Sequence, residues 1–320
     1  MFEDLLEKLE KKNGYFELQI NTIDELLDLI RPEKFILPEL MKKLRYEFYI
    51  HQSELSYDKE TLLYRGMGDA VWELEPSISR LLRSQPYYND FEILRTQAGQ
   101  QEYLLLRDFQ AACDSSAVQL PNDSIFSRHA QEKSFTDNFP YGDSDEWFNE
   151  SYLELVAFAQ HYGVPTRFLD WTSHPLVAAY FAVSGVFSED SRGGKIKDFS
   201  IWIFNTTHID SLPPEVKIVT VPTSINSHAA SQQGCFTMVR QQELSNYEVS
   251  YIKLNDCFEF YKTPWRLLKL KIGAALARSL FDFCDAYNFN ATYLFRGPHG
   301  AAKHAMDLWN RDSYGKTHRH

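Results

Sequence analysis

Residues 153–182 read LELVAFAQHYGVPTRFLDWTSHPLVAAYFA, and this block restricts the fold more than any other stretch. A helical run resumes at Ser151 and is stopped by Gly163 and Pro165. Thr166 to Trp171 fits a short strand. Pro175 then stands where a helix accepts a first-turn proline, with Ser173 or His174 as its cap. Between two apolar helices lie six polar side chains: His161, Tyr162, Arg167, Asp170, Thr172 and Ser173. They form either a buried structural corner or the lip of a site.

The flanking sequence mixes helical and strand-like stretches irregularly, which places the chain in the α+β class with an antiparallel or mixed sheet. The first sixty residues read as mainly helical. Leu5, Leu6 and Leu9 have helical spacing, Thr22 to Glu25 fits a capping box ahead of a helix ending at Pro32, and a third helix spans 38–51. This gives a helical N-terminal extension, 1–57, packed on a main domain of 58–310 with a tail of 311–320. A strand at Leu62–Gly66 runs into a glycine turn, and 90–112 is helical. Residues 113–147 read as a long surface excursion. Strands are expected at 199–204, 216–221, 234–239 and 249–254, a long helix over 264–287 and a short one over 301–309.

Of the 320 residues, 44% are apolar and 15% aromatic, enough for a packed core and too many for a disordered chain. A formal charge of −11 argues against non-specific binding to nucleic acid or an anionic membrane. Cys113, Cys235, Cys257 and Cys284 form no CxxC pair and read as reduced thiols. MFEDLLEKLEKK lacks the apolar centre of a signal peptide, and no apolar run is long enough for a membrane span. The expectation is a cytoplasmic protein.

Arg65 follows Leu62, Leu63 and Tyr64, where an unpaired guanidinium is costly. It needs a carboxylate or a ligand phosphate, while Gly66 permits a close backbone approach. Arg167 and Asp170 are three apart and face opposite sides of an extended strand. Asp170 and Thr172 either cap the next helix or join an anion site at its start. His228, Gln232 and Gln233 line a pocket or form a solvated turn. Gly66-x-Gly68 lacks the remainder of a dinucleotide fingerprint, and there is no His-Glu-x-x-His. The terminal His318-Arg319-His320 reads as a frayed tail, and no metal is expected.

LYRGMGDAVWELEPSISR (63–80) followed by AQHYGVPTRFLDWTSHPLVAAYFA (159–182) resembles the FRG domain family, with Tyr64 in place of the phenylalanine that gives the family its name. QQGCFT (232–237) and YLFRGPHGAAKHAMDLW (293–309) are similar to its looser later elements. The order of elements also resembles the ADP-ribosyltransferase superfamily. There an arginine lies on the first core strand, and a Ser/Thr segment, here Thr172-Ser173, leads into a helix patterned like Val177-Ala178-Ala179-Tyr180-Phe181.

That second resemblance implies an ADP-ribosyltransferase-like fold and NAD as substrate. Arg65, Thr172, Ser173 and Gln233 would be the catalytic set, with Arg65 on phosphate or ribose. Tyr64, His161, Tyr162, Arg167, Asp170 and Tyr180 would contact the nucleotide, with Tyr162 or Tyr180 stacked on nicotinamide. The implied activity is transfer of ADP-ribose to a macromolecular acceptor, or hydrolysis of NAD, in a toxin or defence effector. One departure stands out. Where the superfamily carries a glutamate that stabilises the oxocarbenium-like cation, this chain has Gln232 and Gln233, with Glu243 and Glu248 further on. Asp170 is the alternative acid. The rival reading is a non-catalytic module that senses a nucleotide or binds a partner protein.

Overall fold

FSIWIF and LLKLKIG lie side by side at the centre of one mixed sheet, because both alternate side chains between two packed faces. The computed structural model describes residues 2–48, 60–85, 91–138, 147–191, 196–221, 233–240 and 252–314. Its strands are β1 (Glu10–Lys11), β2 (Phe16–Ile20), β3 (Leu62–Met67), β4 (Leu169–Thr172), β5 (Asp198–Asn205), β6 (Val216–Val219), β7 (Gly234–Val239) and β8 (Leu267–Gly273). They are ordered β1-β2-β8-β5-β3-β4-β7-β6. The β2–β8 pair is parallel and every other pair antiparallel.

The described residues also form twelve α-helices. They are α1 (Phe2–Glu7), α2 (Ile23–Ile30), α3 (Ile36–Phe48), α4 (Ser77–Arg83), α5 (Phe91–Ser115), α6 (Ile125–Asn138), α7 (Leu153–His161) and α8 (Pro175–Ser191), then α9 (Leu254–Phe260), α10 (Ala277–Ala286), α11 (Ala291–Phe295) and α12 (Gly297–Ser313). None is long and apolar enough to cross a membrane.

On one face of the sheet, Ile201, Ile203, Leu268, Leu270 and Ile272 pack with α8 and with the N-terminal helices. On the other, Leu63, Met67, Trp202, Phe204 and Leu267 form a second cluster with α9. A third cluster, around Trp147, Phe148, Tyr152 and Phe168, joins α5 and α7 to the β6–β7 end.

Strand β3 and helix α8 meet backbone to backbone. A Cβ built on Gly66 would lie 1.9 Å from the Ala178 carbonyl oxygen, and one built on Gly68 would lie 2.6 Å from the Gly185 backbone. Glycine is required here by space and not by φ.

The structure revises four expectations. The N-terminal segment is not only helical, since FELQI supplies β2, which extends the sheet beside β8. The helix expected over 264–287 is instead a 3₁₀ turn, β8 and α10, because LLKLKIG alternates with period two. The excursion at 113–147 contains α6. The strand expected over 249–254 fails where it can be seen, as Leu254 opens α9; residues 249–251, the boundary at 57 and the tail from 315 lie outside the described residues. The Thr22 cap is present, its hydroxyl accepting the Glu25 N–H at 3.2 Å, but the Glu25 carboxylate reaches one residue further back and accepts the Asn21 N–H at 3.1 Å.

Gly66→Ala therefore forces strand and helix apart. It is expected to cost about 1–3 kcal/mol or slightly more, the usual scale of overpacking. Gly273→Ala, where nothing lies within 4 Å of an added Cβ, is the control and should leave the melt within about 0.5 kcal/mol of the native protein.

Candidate functional site

β3 pairs with β5 along its whole length, but with β4 only through Tyr64 and Thr172. Beyond that one bridge the strands part, and Arg65 enters the opening. Its Nη1 donates to the Asp170 carbonyl oxygen at 2.8 Å and lies 3.4 Å from the Asp170 carboxylate. A cavity of about 430 Å³ occupies the opening, a size usual for small-molecule sites. Arg65, Arg80, His161, Asp170 and Thr172 line it, with an apolar wall that includes Trp72, Phe181 and Phe295.

Two guanidiniums face one carboxylate here, so the cleft is locally positive in a chain of negative net charge. Burial pulls the Arg65 pKa down, Asp170 opposes that shift, and repulsion from Arg80 adds to it. Burial also lowers Arg80, whose Nη1 is bonded only to the Glu75 carbonyl, at 2.8 Å. The Arg65 Nε is buried and has no acceptor among the described residues. With Nη1 committed to Asp170, the Nε edge of the guanidinium fork is the part left for a ligand.

Asp170 is held as well. Gln160 Nε2 donates to its Oδ1 at 2.6 Å, and the Gln160 carbonyl oxygen accepts the Thr166 hydroxyl. Thr166 Oγ1 in turn accepts the Phe168 N–H at 3.1 Å. The amide of Gln160 is thereby oriented, and the carboxylate is fixed against Arg65 although its side chain is 62% exposed.

Of the residues singled out in the sequence, Tyr64, Arg65, His161, Asp170 and Thr172 come together in this cleft. Five do not belong there as expected. Arg167 is buried, bonded to Glu102 through Nε and Nη2 (2.6 Å at the shortest), with the Phe148 ring 4.0 Å away. It fastens α5 to the segment before β4 and has no access to a nucleotide. Tyr180 has no exposed surface, and its hydroxyl donates to Asp307 at 2.6 Å, so it cannot stack on nicotinamide. Tyr162 is 64% exposed, packs on Phe158 and is not among the cleft residues. Ser173 donates to Gln233 Oε1 at 3.1 Å, and this pair lies outside the cleft, beyond the Tyr64–Thr172 bridge. His228, Gln232, Glu243 and Glu248 lie outside the described residues.

Of the residues expected to cap α8, two do so. Thr172 Oγ1 accepts the His174 N–H at 3.1 Å and His174 Nδ1 accepts the Leu176 N–H at 3.2 Å, so these two residues, and not Asp170, open α8. The sequence reading assigned no role to Trp72, Arg80, Gln160, Phe181 or Phe295. Trp72 and Arg80 stand within the opening motif, which was the available signal. Phe295 comes from the far end of the chain and had none. Among the described residues, no three His, Cys, Asp or Glu side chains converge as metal ligands would.

Residues 60–191, from two residues before β3 to the end of α8, match the family model of the FRG domain. Every cleft residue except Phe295 falls within the match. No curated protein and no solved structure matches the chain.

The two carboxylate partnerships should separate in chemical denaturation. Glu102→Gln leaves a buried guanidinium uncompensated and should cost about 3–5 kcal/mol. Asp170→Asn, where the carboxylate is solvent-exposed and Arg65 keeps its bond to the Asp170 backbone carbonyl, should cost about 1 kcal/mol or less.

Proposed function

We propose that the β3–β4 cleft of this FRG domain binds a nucleotide of the NAD or ADP-ribose type. A phosphate would sit on the free edge of Arg65, within reach of Arg80, and a ring on the wall made by Trp72, Phe181 and Phe295. The orphaned Nε of Arg65 carries this reading. A buried guanidinium with one arm fixed and one edge unsatisfied is suited to bidentate contact with an oxyanion. The likeness in motif order to the ADP-ribosyltransferase superfamily supports NAD as the first nucleotide to try.

Between sensing and turnover, the geometry favours sensing. Cleavage of the nicotinamide–ribose bond builds positive charge that a carboxylate must stabilise. Asp170 is the one carboxylate among the lining residues, and it is already engaged by Gln160 and Arg65. Gln233, considered as a replacement for the missing glutamate, lies outside the cleft. The exposure of Asp170 favours the second reading, an NAD-consuming enzyme that transfers ADP-ribose to an acceptor or to water, with Asp170 as the stabilising acid.

Calorimetric titration of the full chain with NAD and ADP-ribose tests the site. Binding is expected, and Arg65→Ala should weaken it about 10- to 100-fold, the scale of hydrogen bonds to a charged group. Arg65→Lys should recover only part of this, because an ammonium lacks the fork. If neither compound binds, the nucleotide reading is wrong. Nicotinamide release that Asp170→Asn abolishes would establish the second reading instead.

A further inference from the structure

On the other side of the Tyr64–Thr172 bridge lies a second cavity, of about 640 Å³. Its walls are largely apolar and come from the N-terminal helices and the core together, including Leu29, Ile30, Leu37, Leu62 and Pro175. Tyr64 borders both cavities. Its ring belongs to the apolar cluster that contains Leu29, Ile30, Leu37 and Leu62, on the face of β3 opposite Arg65.

Tyr64 supplies a hydroxyl donor at the cavity. The residue is only 7% exposed, yet its hydroxyl makes no hydrogen bond with any described residue. Desolvation raises its pKa to about 12, so it stays a neutral phenol with a proton to give. A second donor is His174. Its Nδ1 is occupied as an acceptor by the Leu176 N–H, which leaves the ring proton on Nε2. Burial lowers the pKa of this histidine and keeps it neutral near pH 7. Arg31 also lines the cavity; its guanidinium lies over the Phe283 ring, 5.3 Å from the centroid, which leaves its N–H edge for an anion. The cavity's own acids compete weakly. Glu60 is bonded to Arg45 through one oxygen and to Asn205 through the other, and Glu33 is solvent-exposed.

From these observations we infer that the second cavity is a binding site for a small carboxylic acid with an apolar body, the carboxylate taken by Tyr64 and Arg31 and the body by the apolar walls. An alcohol of the same shape would satisfy the walls but not both donors. The inference does not rest on the nucleotide reading, because Arg65 plays no part in it.

Indole-3-acetate and octanoate, as aromatic and aliphatic probes, should bind the full chain in titration calorimetry, and tryptophol and octanol should bind much more weakly. Tyr64→Phe keeps the ring and removes only the hydroxyl. It should weaken the acids about three- to tenfold, the scale of one hydrogen bond, and Arg31→Met should do the same. Arg65→Ala should leave their affinity unchanged while weakening a nucleotide. The unliganded protein provides a further check. Removal of a hydroxyl that bonds to no described residue should leave the melting temperature of Tyr64→Phe equal to or above that of the native chain. A lower melting temperature would mean the hydroxyl has a structural partner and would overturn the proposal. So would the absence of acid binding, equal binding of acids and alcohols, or loss of acid binding in Arg65→Ala.

Discussion

Backbone contact between β3 and α8 sets the rest of the structure. Where Gly66 meets Ala178 and Gly68 meets Gly185, strand and helix touch with no side chain between them. Sheet and helix usually pack through a layer of side chains, so this contact draws α8 unusually close to the sheet. Ala178, Phe181 and Gly185 thereby reach the edge of the opening between β3 and β4. The residue next to Gly66 is Arg65, and alternation along the strand sends its side chain to the opposite face. The Arg-Gly pair is thus one device with two functions: the glycine admits the helix, and the arginine enters the opening.

Buried arginines serve very different ends in this protein. Arg167 is matched by Glu102, Arg45 by Glu60, and Arg266 by the carbonyl oxygens of Asn205 and Thr207. Each of these joins segments separated in sequence. Arg65 differs in lining the cleft, with one arm bonded to Asp170 and Nε without an acceptor among the described residues. Local sequence does not separate these cases. Both Arg65 and Arg167 sit in apolar surroundings and both need an anion, but Glu102 lies on a helix 65 positions before Arg167.

What was legible in the sequence follows from the range of the interactions involved. The helix–strand–helix block, the Thr22 cap and the start of α8 at Pro175 depend on neighbours within a few residues, and they could be read directly. β2 and β8 were missed because FELQI and LLKLKIG are short and adjoin helical sequence. In LLKLKIG the inward Lys269 further disguised the pattern. It is nearly buried, with its ammonium bonded to the Ala70 carbonyl at 2.6 Å and lying over the Trp202 ring, an environment supplied by two other parts of the chain. Tyr180 was misplaced for a related reason. α8 is apolar on nearly all sides, so its periodicity did not reveal which aromatic faces the cleft and which meets Asp307 on α12. Phe181, the next residue, reaches the cleft instead.

The pairing of β2 with β8 has a consequence for how the chain acquires its structure. Gln19 bonds to Lys271 across 252 positions, and the two strands run parallel in register from Phe16 to Ile20. Contacts of such separation bring a large loop-closure entropy and are associated with slow folding. During synthesis, FELQI emerges from the ribosome long before LLKLKIG exists. Its apolar Phe16, Leu18 and Ile20 must wait without their partner strand until β8 has been made. The sheet can therefore close only after translation has passed β8, and the N-terminal segment is among the last to be secured.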